Sequence, residues 1–368
     1  MVKLNWKNKT KLTDIIEELK KKYYYEFKLV NSIPNDSKIN SNHLSSSDNW
    51  TNKLFWGDNL EVLCYLLNNY EEKIDLIYID PPFFSGSNYH IKIKDNDLDY
   101  DSIAYYDHWK NDLNSYLQML YDRIILFKEL LSKTGLIFIH MDWHASHYIR
   151  LILDEVFGQN RFVNNIVWYY YNKYSAGKKK LPRAHDNILV YSKSNDYTFN
   201  EIRIPRNKPI KQLKRIMVNG VLKNAKDENG HVIYRVVTDK KLDDVWKIPC
   251  MQPASKEWTG FPTQKHHELL ERIIKLGSDE GDLIADFFCG SGTTLLVAEK
   301  LNRKWIGSDI SKYAIYLTRN RIINYHQNIT DNAKLLYPFE VYSNLNENRR
   351  EIIDSGFFEK ELIIKRKT

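Results

Sequence analysis

Short apolar runs alternate with amphipathic segments along most of the chain. The continuous apolar runs predict buried strands at 53–56, 74–79, 135–140, 282–287 and 304–309. The segments with helical periodicity predict helices at 58–68, 111–131, 144–157, 266–276, 293–301 and 311–322. Strands that alternate with helices are typical of an α/β domain with a doubly wound, mostly parallel sheet.

Two stretches interrupt this alternation. Residues 84–105 are polar and predict a long loop, and loops of this length are usually functional or mobile. Residues 197–258 are basic, contain short strand-like runs and carry Asn-Gly turn signals at 219–220 and 229–230. We interpret this second stretch as a small β-rich recognition insert.

The charge balance of the chain is positive. It holds 54 Lys and Arg against 47 Asp and Glu, which gives a net charge of +7 and a pI near 8.9. Such a balance favours a polyanionic partner, with nucleic acid as the first candidate. A compositional bias toward Lys, Asn, Ile and Tyr is the alternative explanation.

Nothing in the sequence predicts a membrane or a secreted protein. No apolar stretch approaches the roughly 20 residues that cross a bilayer, and the lysine-rich N-terminus has no apolar signal segment. Cys64, Cys250 and Cys289 are too scattered for a disulfide framework or a metal site. We therefore expect a cytoplasmic protein.

A glycine-rich loop follows one of the predicted strands. It spans Phe288–Gly292 and leads into a helix that begins near Thr293. Glycines let the backbone approach a ligand closely, and a helix N-terminus offers it free N–H groups. Asp309 lies 19 residues beyond Gly290, at the end of the next strand, where a carboxylate can accept hydrogen bonds from both hydroxyls of a ribose.

The glycine loop does not match the common phosphate sites. It lacks the G-x-x-x-x-G-K-[ST] pattern of a P-loop and the third glycine of the dinucleotide fingerprint. The arrangement therefore predicts an adenosine-containing ligand without a pyrophosphate, of which S-adenosylmethionine is the obvious example. A glycine-rich turn that binds nothing is the alternative.

A second special loop, Asp80-Pro81-Pro82-Phe83, follows another predicted strand. Two prolines directly after a strand fix a rigid, extended turn, so Asp80 is held at the strand tip. An amine on a nucleobase can donate one hydrogen to the Asp80 carboxylate and one to the Pro81 carbonyl, while the base stacks on Phe83. A purely structural acidic turn is the alternative.

Together the two loops resemble those of the amino-group DNA methyltransferases that use S-adenosylmethionine. The order matches the permuted beta class, in which the catalytic loop precedes the cofactor loop, and the resemblance covers residues 53–325. The family's Asp-Pro-Phe-x-Gly-Ser-Gly-Thr-Thr loop is matched from Asp286 to Thr294, with Phe287 in place of its proline. The family segment that closes over the methionine end of the cofactor is matched from Thr263, with His266 in place of a proline.

The resemblance implies a Rossmann-like methyltransferase fold and assigns residues to both halves of one active site. The implied catalytic residues are Asp80, Pro81, Pro82 and Phe83. The implied cofactor-binding residues are Asp58, Thr263, Gln264, Lys265, Asp286, Phe288, Gly290, Ser291, Gly292, Thr293, Thr294 and Asp309. In this family an aspartate that opens the catalytic loop usually accompanies adenine as the target.

The resemblance therefore implies transfer of a methyl group from S-adenosylmethionine to the N6 of adenine in double-stranded DNA. A duplex buries that amine, so the base must be flipped out of the helix. Methylation of cytosine N4 or of RNA is the second enzymatic hypothesis. A catalytically silent DNA-binding subunit is a third, and the intact Asp80 and Gly290 argue against it.

Two further groups of residues are candidates for binding. The basic residues that follow an aromatic run at 168–171 are candidate DNA contacts, namely Lys178, Lys179, Lys180 and Arg183. A buried aromatic strand is the alternative interpretation of that run. Methyl transfer requires no metal, so we expect none despite the neighbouring side chains of His140, Asp142, His144 and His147.

The sequence predicts five regions. They are an N-terminal helix and linker (1–52), a catalytic half (53–196), the recognition insert (197–258), a cofactor-binding half (259–325) and a C-terminal extension (326–368). The insert of about 60 residues is short for the large two-subunit modification enzymes that the resemblance includes. A homodimer and a separate restriction endonuclease are the partners that the resemblance suggests.

Overall fold

The computed structural model describes residues 3–11, 15–22, 26–33, 50–86, 88–95, 98–106, 112–173, 179, 181–329, 336–344, 347–354 and 358. Within these residues the helices are α1 (Ile15–Lys22), α2 (Asn59–Tyr70), α3 (Leu113–Leu130), α4 (Ser146–Val156), α5 (His267–Gly277), α6 (Thr293–Lys300), α7 (Lys312–Asn328) and α8 (Glu347–Asp354).

The strands of the described residues come in two groups along the chain. The first group is β1 (Lys28–Ile33), β2 (Asn52–Trp56), β3 (Ile74–Ile79), β4 (Asn88–Asp95), β5 (Leu98–Tyr106), β6 (Leu131–Met141), β7 (Phe162–Tyr169) and β8 (His185–Ser192). The second group is β9 (Arg203–Leu213), β10 (Arg215–Val218), β11 (Val221–Asn224), β12 (Tyr234–Lys241), β13 (Val245–Lys247), β14 (Leu283–Asp286), β15 (Lys304–Asp309) and β16 (Phe339–Ser343).

Ten of these strands form one central sheet. Their order is β1-β16-β2-β15-β14-β3-β6-β8-β7-β13. The pairs β1–β16, β6–β8 and β7–β8 are antiparallel, and the other six neighbouring pairs are parallel. The predicted α/β fold with a doubly wound, mostly parallel sheet is confirmed.

Each face of the sheet carries its own apolar core because side chains along a strand alternate between faces. On β3, Ile77 and Ile79 pack into the core that includes α2, α3 and α4. Leu76 and Tyr78 pack into the opposite core, which includes α5, α6 and α7. A strand that is covered on both faces is apolar at most of its positions, which is why these runs were recognisable in the sequence.

The strand order brings the two special loops together. β3 and β14 are parallel neighbours, with Leu76 opposite Ile284 and Ile77 opposite Ala285. Parallel neighbours end at the same edge of a sheet, where open α/β sheets bind their ligands. The loops that follow these two strands therefore start side by side.

The prediction of a long loop at 84–105 was wrong. β4 and β5 pair as an antiparallel ribbon, with Asn88 opposite Tyr106 and Asp95 opposite Leu98. The sequence alternates isoleucine and lysine over residues 91–94, which is the period of a strand. The polar surroundings of this short run masked the alternation.

Both chain-terminal regions contribute to the central sheet. β1 pairs with β16, and β16 lies parallel to β2, so strands from before 52 and after 325 extend the sheet. The five predicted regional boundaries stay predictions. In the part of the chain that the structure describes, no helix combines the length and the apolar character needed to cross a membrane.

Within the predicted insert, residues 203–241 form two antiparallel strand pairs outside the central sheet, which we call the arm. β9 pairs with β12, and β10 pairs with β11 across the predicted Asn-Gly turn. Asn219 and Gly220 both have positive φ, 50° and 78°, which is the geometry of a two-residue type I′ hairpin turn. The sequence signal for this turn was therefore specific.

Candidate active site

One cavity of about 560 Å³ lies at the edge where β3, β14 and β15 end. The catalytic loop lines one side of it, and the glycine loop with Asp309 lines another. All of the predicted catalytic and cofactor-binding residues line this cavity except Gly292. Its volume is typical of sites that bind a cofactor-sized molecule.

The catalytic loop is fixed from outside the cavity. The hydroxyl of Tyr116, on α3, donates a hydrogen bond of 2.8 Å to the carbonyl oxygen of Pro82. The ring of Phe83 lies 5.7 Å from the ring of His140, between centroids. The Asp-Pro-Pro-Phe turn is thus supported by neighbouring elements as well as by its two prolines.

The two carboxylate oxygens of Asp80 have different surroundings. Oδ2 pairs with the ammonium group of Lys265, and the two side chains are only 16% and 10% exposed. Oδ1 is buried and accepts no hydrogen bond from the described residues. The Nδ1 atom of His140 lies 3.9 Å from Oδ1. The sequence predicted Lys265 as a cofactor ligand and gave no sign of its contact with Asp80.

The glycine loop closes tightly against α7. Gly292 precedes α6 in a left-handed conformation with φ of 72°. The Thr318 hydroxyl donates to the carbonyl oxygen of Gly290 at 3.1 Å, and the Gly290 N–H donates to Asp309 Oδ2 at 2.9 Å. The glycine loop and Asp309, which the sequence predicted to lie at the same site, are therefore joined by a direct hydrogen bond.

Two carboxyls that line the cavity have raised pKa values. Burial raises the pKa of Asp286 to about 7, although hydrogen bonds from Thr294 and the Phe288 N–H oppose this shift. Burial likewise raises the pKa of Asp309 to about 6, against hydrogen bonds from the Ser311 and Gly290 amides. Part of Asp309 faces the open cavity, whereas Asp286 is fully enclosed. Such carboxyls favour a ligand that brings positive charge or hydroxyl donors.

Asp58 has a structural partner that the sequence did not reveal. Its carboxylate caps α2 through the Leu60 N–H at 2.8 Å and pairs with Arg123 at 2.9 Å. The buried Arg123, on α3, also donates to the side chain of Asn59. The only sequence signal for Arg123 was a basic residue inside an apolar stretch of a predicted helix.

The segment around Gln264 is held mainly by its own hydrogen bonds. The Gln264 side-chain oxygen accepts from the Thr259 N–H at 2.9 Å, and its nitrogen donates to the carbonyl oxygen of Glu257 at 2.8 Å. Phe261 and Tyr313 also line the cavity, with parallel rings 6.3 Å apart. These two aromatic residues were not among the predicted site residues.

The remaining candidates lie elsewhere. Lys178 and Lys180 lie outside the described residues, Lys179 is exposed, and the Arg183 guanidinium lies 3.5 Å from the ring centroid of Trp143. The aromatic run is mixed, since Trp168 and Tyr170 are buried while Tyr169 and Tyr171 are exposed. Among the described residues, no group of three His, Cys, Asp or Glu side chains is arranged to hold a metal ion.

Comparison with known proteins identifies the family. The model of the N6/N4 DNA methylases matches residues 74–320, about two thirds of the chain. The chain belongs to the N6/N4 DNA methylase family. Members of this family take their methyl group from S-adenosylmethionine, so the predicted family and cofactor are confirmed.

Individual relatives of this DNA methylase include two type II methyltransferases. M.EcaI of Enterobacter cloacae is 27% identical over 83% of this chain and 77% of its own length. M.HpaI of Haemophilus parainfluenzae is 31% identical over 70% of each chain. Among solved structures, the M1.HpyAVI–SAM complex is 21% identical, with coverage of 73% of this chain and 98% of that chain and a TM-score of 0.48.

Proposed function

We propose that this DNA methylase transfers the methyl group of S-adenosylmethionine to the N6 of adenine in double-stranded DNA. The observation that carries the proposal is the shared cavity, in which Asp80 and the glycine loop with Asp309 form two walls. An enzyme that joins a cofactor to a target amine needs both halves in one enclosed space.

The residues of the glycine-loop half suit the cofactor. Asp309 would accept hydrogen bonds from the ribose, because each carboxylate oxygen has spare lone pairs beyond its one backbone donor. Asp286 would offset positive charge at the methionine end. Gly290 lies close to Phe261, and a Cβ added at Gly290 would lie 3.0 Å from the ring. The lack of a side chain at Gly290 therefore leaves space in the cavity.

The residues of the catalytic loop act on the amine. When bound, the cofactor supplies an electrophilic methyl group on a sulfonium cation. Asp80 and the Pro81 carbonyl would accept the two amine hydrogens and so free the nitrogen lone pair from the ring. Asp80 Oδ1 is buried, so the amine must donate its hydrogen bond to Oδ2. Oδ2 is paired with the Lys265 ammonium, so this ion pair must open when the base enters.

The chemical target can be tested directly. We would incubate the protein with unmethylated double-stranded DNA and methyl-labelled S-adenosylmethionine, then hydrolyse the DNA and separate the nucleosides. The proposal predicts label in N6-methyladenosine only. Label in N4-methylcytosine would support the second enzymatic hypothesis, and no label in any DNA would reject both.

Cofactor binding should strengthen as pH rises from about 5 to about 8. Asp309 and Asp286 have pKa values raised to about 6 and about 7, and a cationic, hydroxyl-bearing ligand favours their ionised forms, so binding releases protons. The raised pKa values also affect the stability of the ligand-free protein. Its folded state binds more protons than its unfolded state, so the contribution of these two carboxyls to stability falls as pH rises from about 4 to about 7. Calorimetric titration at pH 6 in two buffers of different ionisation enthalpy should reveal the released protons. Equal heats in both buffers would contradict this prediction.

The arm supplies the charge that suits a DNA partner. Residues 203–241 hold eleven Lys and Arg against three Asp and Glu, a balance of +8, whereas the whole chain has +7. The positive charge of the molecule is therefore concentrated in the insert rather than spread over its surface. A local concentration of this kind supports a docking surface for phosphates and weakens the explanation by overall composition.

Arm lysines should set the salt dependence of DNA binding. Lys211 and Lys214 are exposed on and next to β9, and each lost phosphate contact reduces the slope of log K against log salt by about 1. We expect the double variant Lys211→Gln/Lys214→Gln to lower the slope by about 2. Lys275→Gln on α5, where Lys275 pairs with Glu271, is the matched control and should leave the slope unchanged. Equal slopes for the wild type and the arm variant would place the DNA elsewhere.

Two partner proposals remain from the sequence. M.EcaI and M.HpaI are type II methyltransferases, which supports a restriction endonuclease as a separate partner. A homodimer rests on the resemblance alone, and sedimentation equilibrium would test it.

A further inference from the structure

The buried Asp80 Oδ1 is an unusual feature of the cavity wall. No described residue donates a hydrogen bond to it, although a buried carboxylate oxygen without a donor is costly. Nδ1 of His140, on the neighbouring strand β6, lies 3.9 Å from it. His140 is fully buried and has no part in the methyl transfer described above.

The far side of His140 is anchored by Asp186, on β8. Nε2 of His140 lies 3.3 Å from Asp186 Oδ2, and the Tyr170 hydroxyl donates to Asp186 Oδ1 at 3.1 Å. Burial opposes the charge on Asp186, but the hydrogen bond from His140, the charge of Lys265 and the hydrogen bond from Tyr170 hold its pKa below the usual value. Because an ionised carboxylate only accepts, Nε2 of His140 must carry a hydrogen.

That tautomer leaves a lone pair on Nδ1. The Tyr78 hydroxyl lies 3.0 Å from Nδ1. It can donate to Nδ1 while that atom has a lone pair, and it can rotate to accept once Nδ1 carries a hydrogen. Asp80 Oδ1 is also an acceptor, so two acceptors face each other across 3.9 Å with no hydrogen between them. A proton on either atom would face an acceptor on the other, and a hydrogen bond would form once the side chains closed the 3.9 Å gap to about 3 Å.

Charged and titratable groups face His140 from several elements. They are Tyr78 on β3, Asp80 directly after β3 and Asp186 on β8, with the Lys265 ammonium on the far oxygen of Asp80. The rings of Trp168 and Phe83, at 5.3 and 5.7 Å, exclude water from its remaining sides. An imidazolium here would lie between two carboxylates.

We propose that His140, anchored by Asp186, is a positioning residue that receives, through Asp80, the proton lost by the target amine. The inference rests on the proposed function for the source of that proton. The amine nitrogen gains the methyl group and gives one proton to the Asp80 carboxylate. Rotation about the Cβ–Cγ bond, which has a broad two-fold profile, carries the proton to the His140 side. Nδ1 then accepts it, which leaves Asp80 ionised and His140 as a cation.

The first test needs neither cofactor nor DNA. Nitrogen chemical shifts of the His140 ring in the free protein should show the Nε2–H tautomer at high pH and protonation of Nδ1 as pH falls. Asp186→Asn and Asp80→Asn keep the shapes of the side chains but remove a facing carboxylate, so each should move this titration to lower pH. An Nδ1–H tautomer, or a titration that neither variant moves, would overturn the proposal.

The second test follows the reaction. The single-turnover rate of the wild type should rise with pH as His140 loses its proton, and Asp186→Asn should move this rise to lower pH. His140→Asn keeps a hydrogen-bonding amide that cannot titrate, so it should remove the rise and slow transfer by about 100-fold. A His140→Asn profile with the wild-type shape would show a structural role only and overturn the proposal. If the wild type methylates no DNA, the proposed function is wrong. The ring titration of the free protein would still show whether Asp186 anchors His140.

Discussion

Replacement of Asp80 by alanine should reduce methyl transfer by about 1,000-fold, because the variant loses the group that orients and polarises the target amine. The proposed cofactor site lies on the other wall of the cavity, so it should persist in this variant. Single-turnover kinetics with labelled cofactor would give the rate, and calorimetry would give the dissociation constant. Near-normal turnover by Asp80→Ala would refute the catalytic assignment.

A matched double variant distinguishes a catalytic role of Asp80 from a role in neutralising the charge of Lys265. Asp80→Ala leaves the sheltered Lys265 ammonium without its carboxylate, and that lone charge would repel a sulfonium cofactor. We therefore expect Asp80→Ala to bind the cofactor somewhat more weakly than the wild type. Addition of Lys265→Met removes that lone charge and should not restore methyl transfer. Recovery of methyl transfer in the double variant would mean that Asp80 serves only to neutralise Lys265.

Replacement of Gly292 by alanine should disable the cofactor site. The added Cβ would lie 2.5 Å from both Cγ2 and Oγ1 of Thr318, and the φ of 72° is strained for any residue with a side chain. Thr318 also holds the carbonyl oxygen of Gly290, so its displacement would loosen the whole loop. We expect a loss of about 1–3 kcal/mol in the free energy of unfolding and at least about tenfold weaker cofactor binding.

The two causes of this effect can be separated. Thr318→Ala alone removes the hydrogen bond to Gly290 without adding a clash. The double variant Gly292→Ala/Thr318→Ala removes the clash while the positive φ remains. The double variant should therefore recover part, but not all, of the stability and affinity lost in Gly292→Ala. Calorimetric dissociation constants and thermal unfolding of the three variants would measure this. Wild-type affinity in Gly292→Ala would contradict the tight packing of the loop.

The elements nearest the site were the easiest to predict from the sequence. β3 and β14 are covered on both faces, so their runs at 74–79 and 282–287 are mainly apolar, and each run ends at a loop of distinctive sequence. Asp309 was recognisable because strand, glycine loop, helix and strand follow in fixed spacing, and its hydrogen bond to Gly290 reflects that local order.

The contacts that refine the site could not be predicted in this way. Lys265 and Asp80 are separated by 185 residues, and their pairing depends on the order of strands in the sheet. The same holds for His140 and Asp186, which meet because β6 and β8 are antiparallel neighbours. Periodicity gives the face on which a residue lies but not the strand beside it. The ribbon at 88–106 was missed for a different reason, since its alternation is short and lies in a polar stretch.

The most direct test of the account is a crystal structure of the protein with S-adenosylhomocysteine, the product that the cofactor leaves after transfer. The ribose of S-adenosylhomocysteine should donate hydrogen bonds to Asp309. Its sulfur should face Asp80 across the cavity. A sulfur atom directed away from Asp80, or a ligand bound outside this cavity, would contradict the claim that the two loops form one methyl-transfer site.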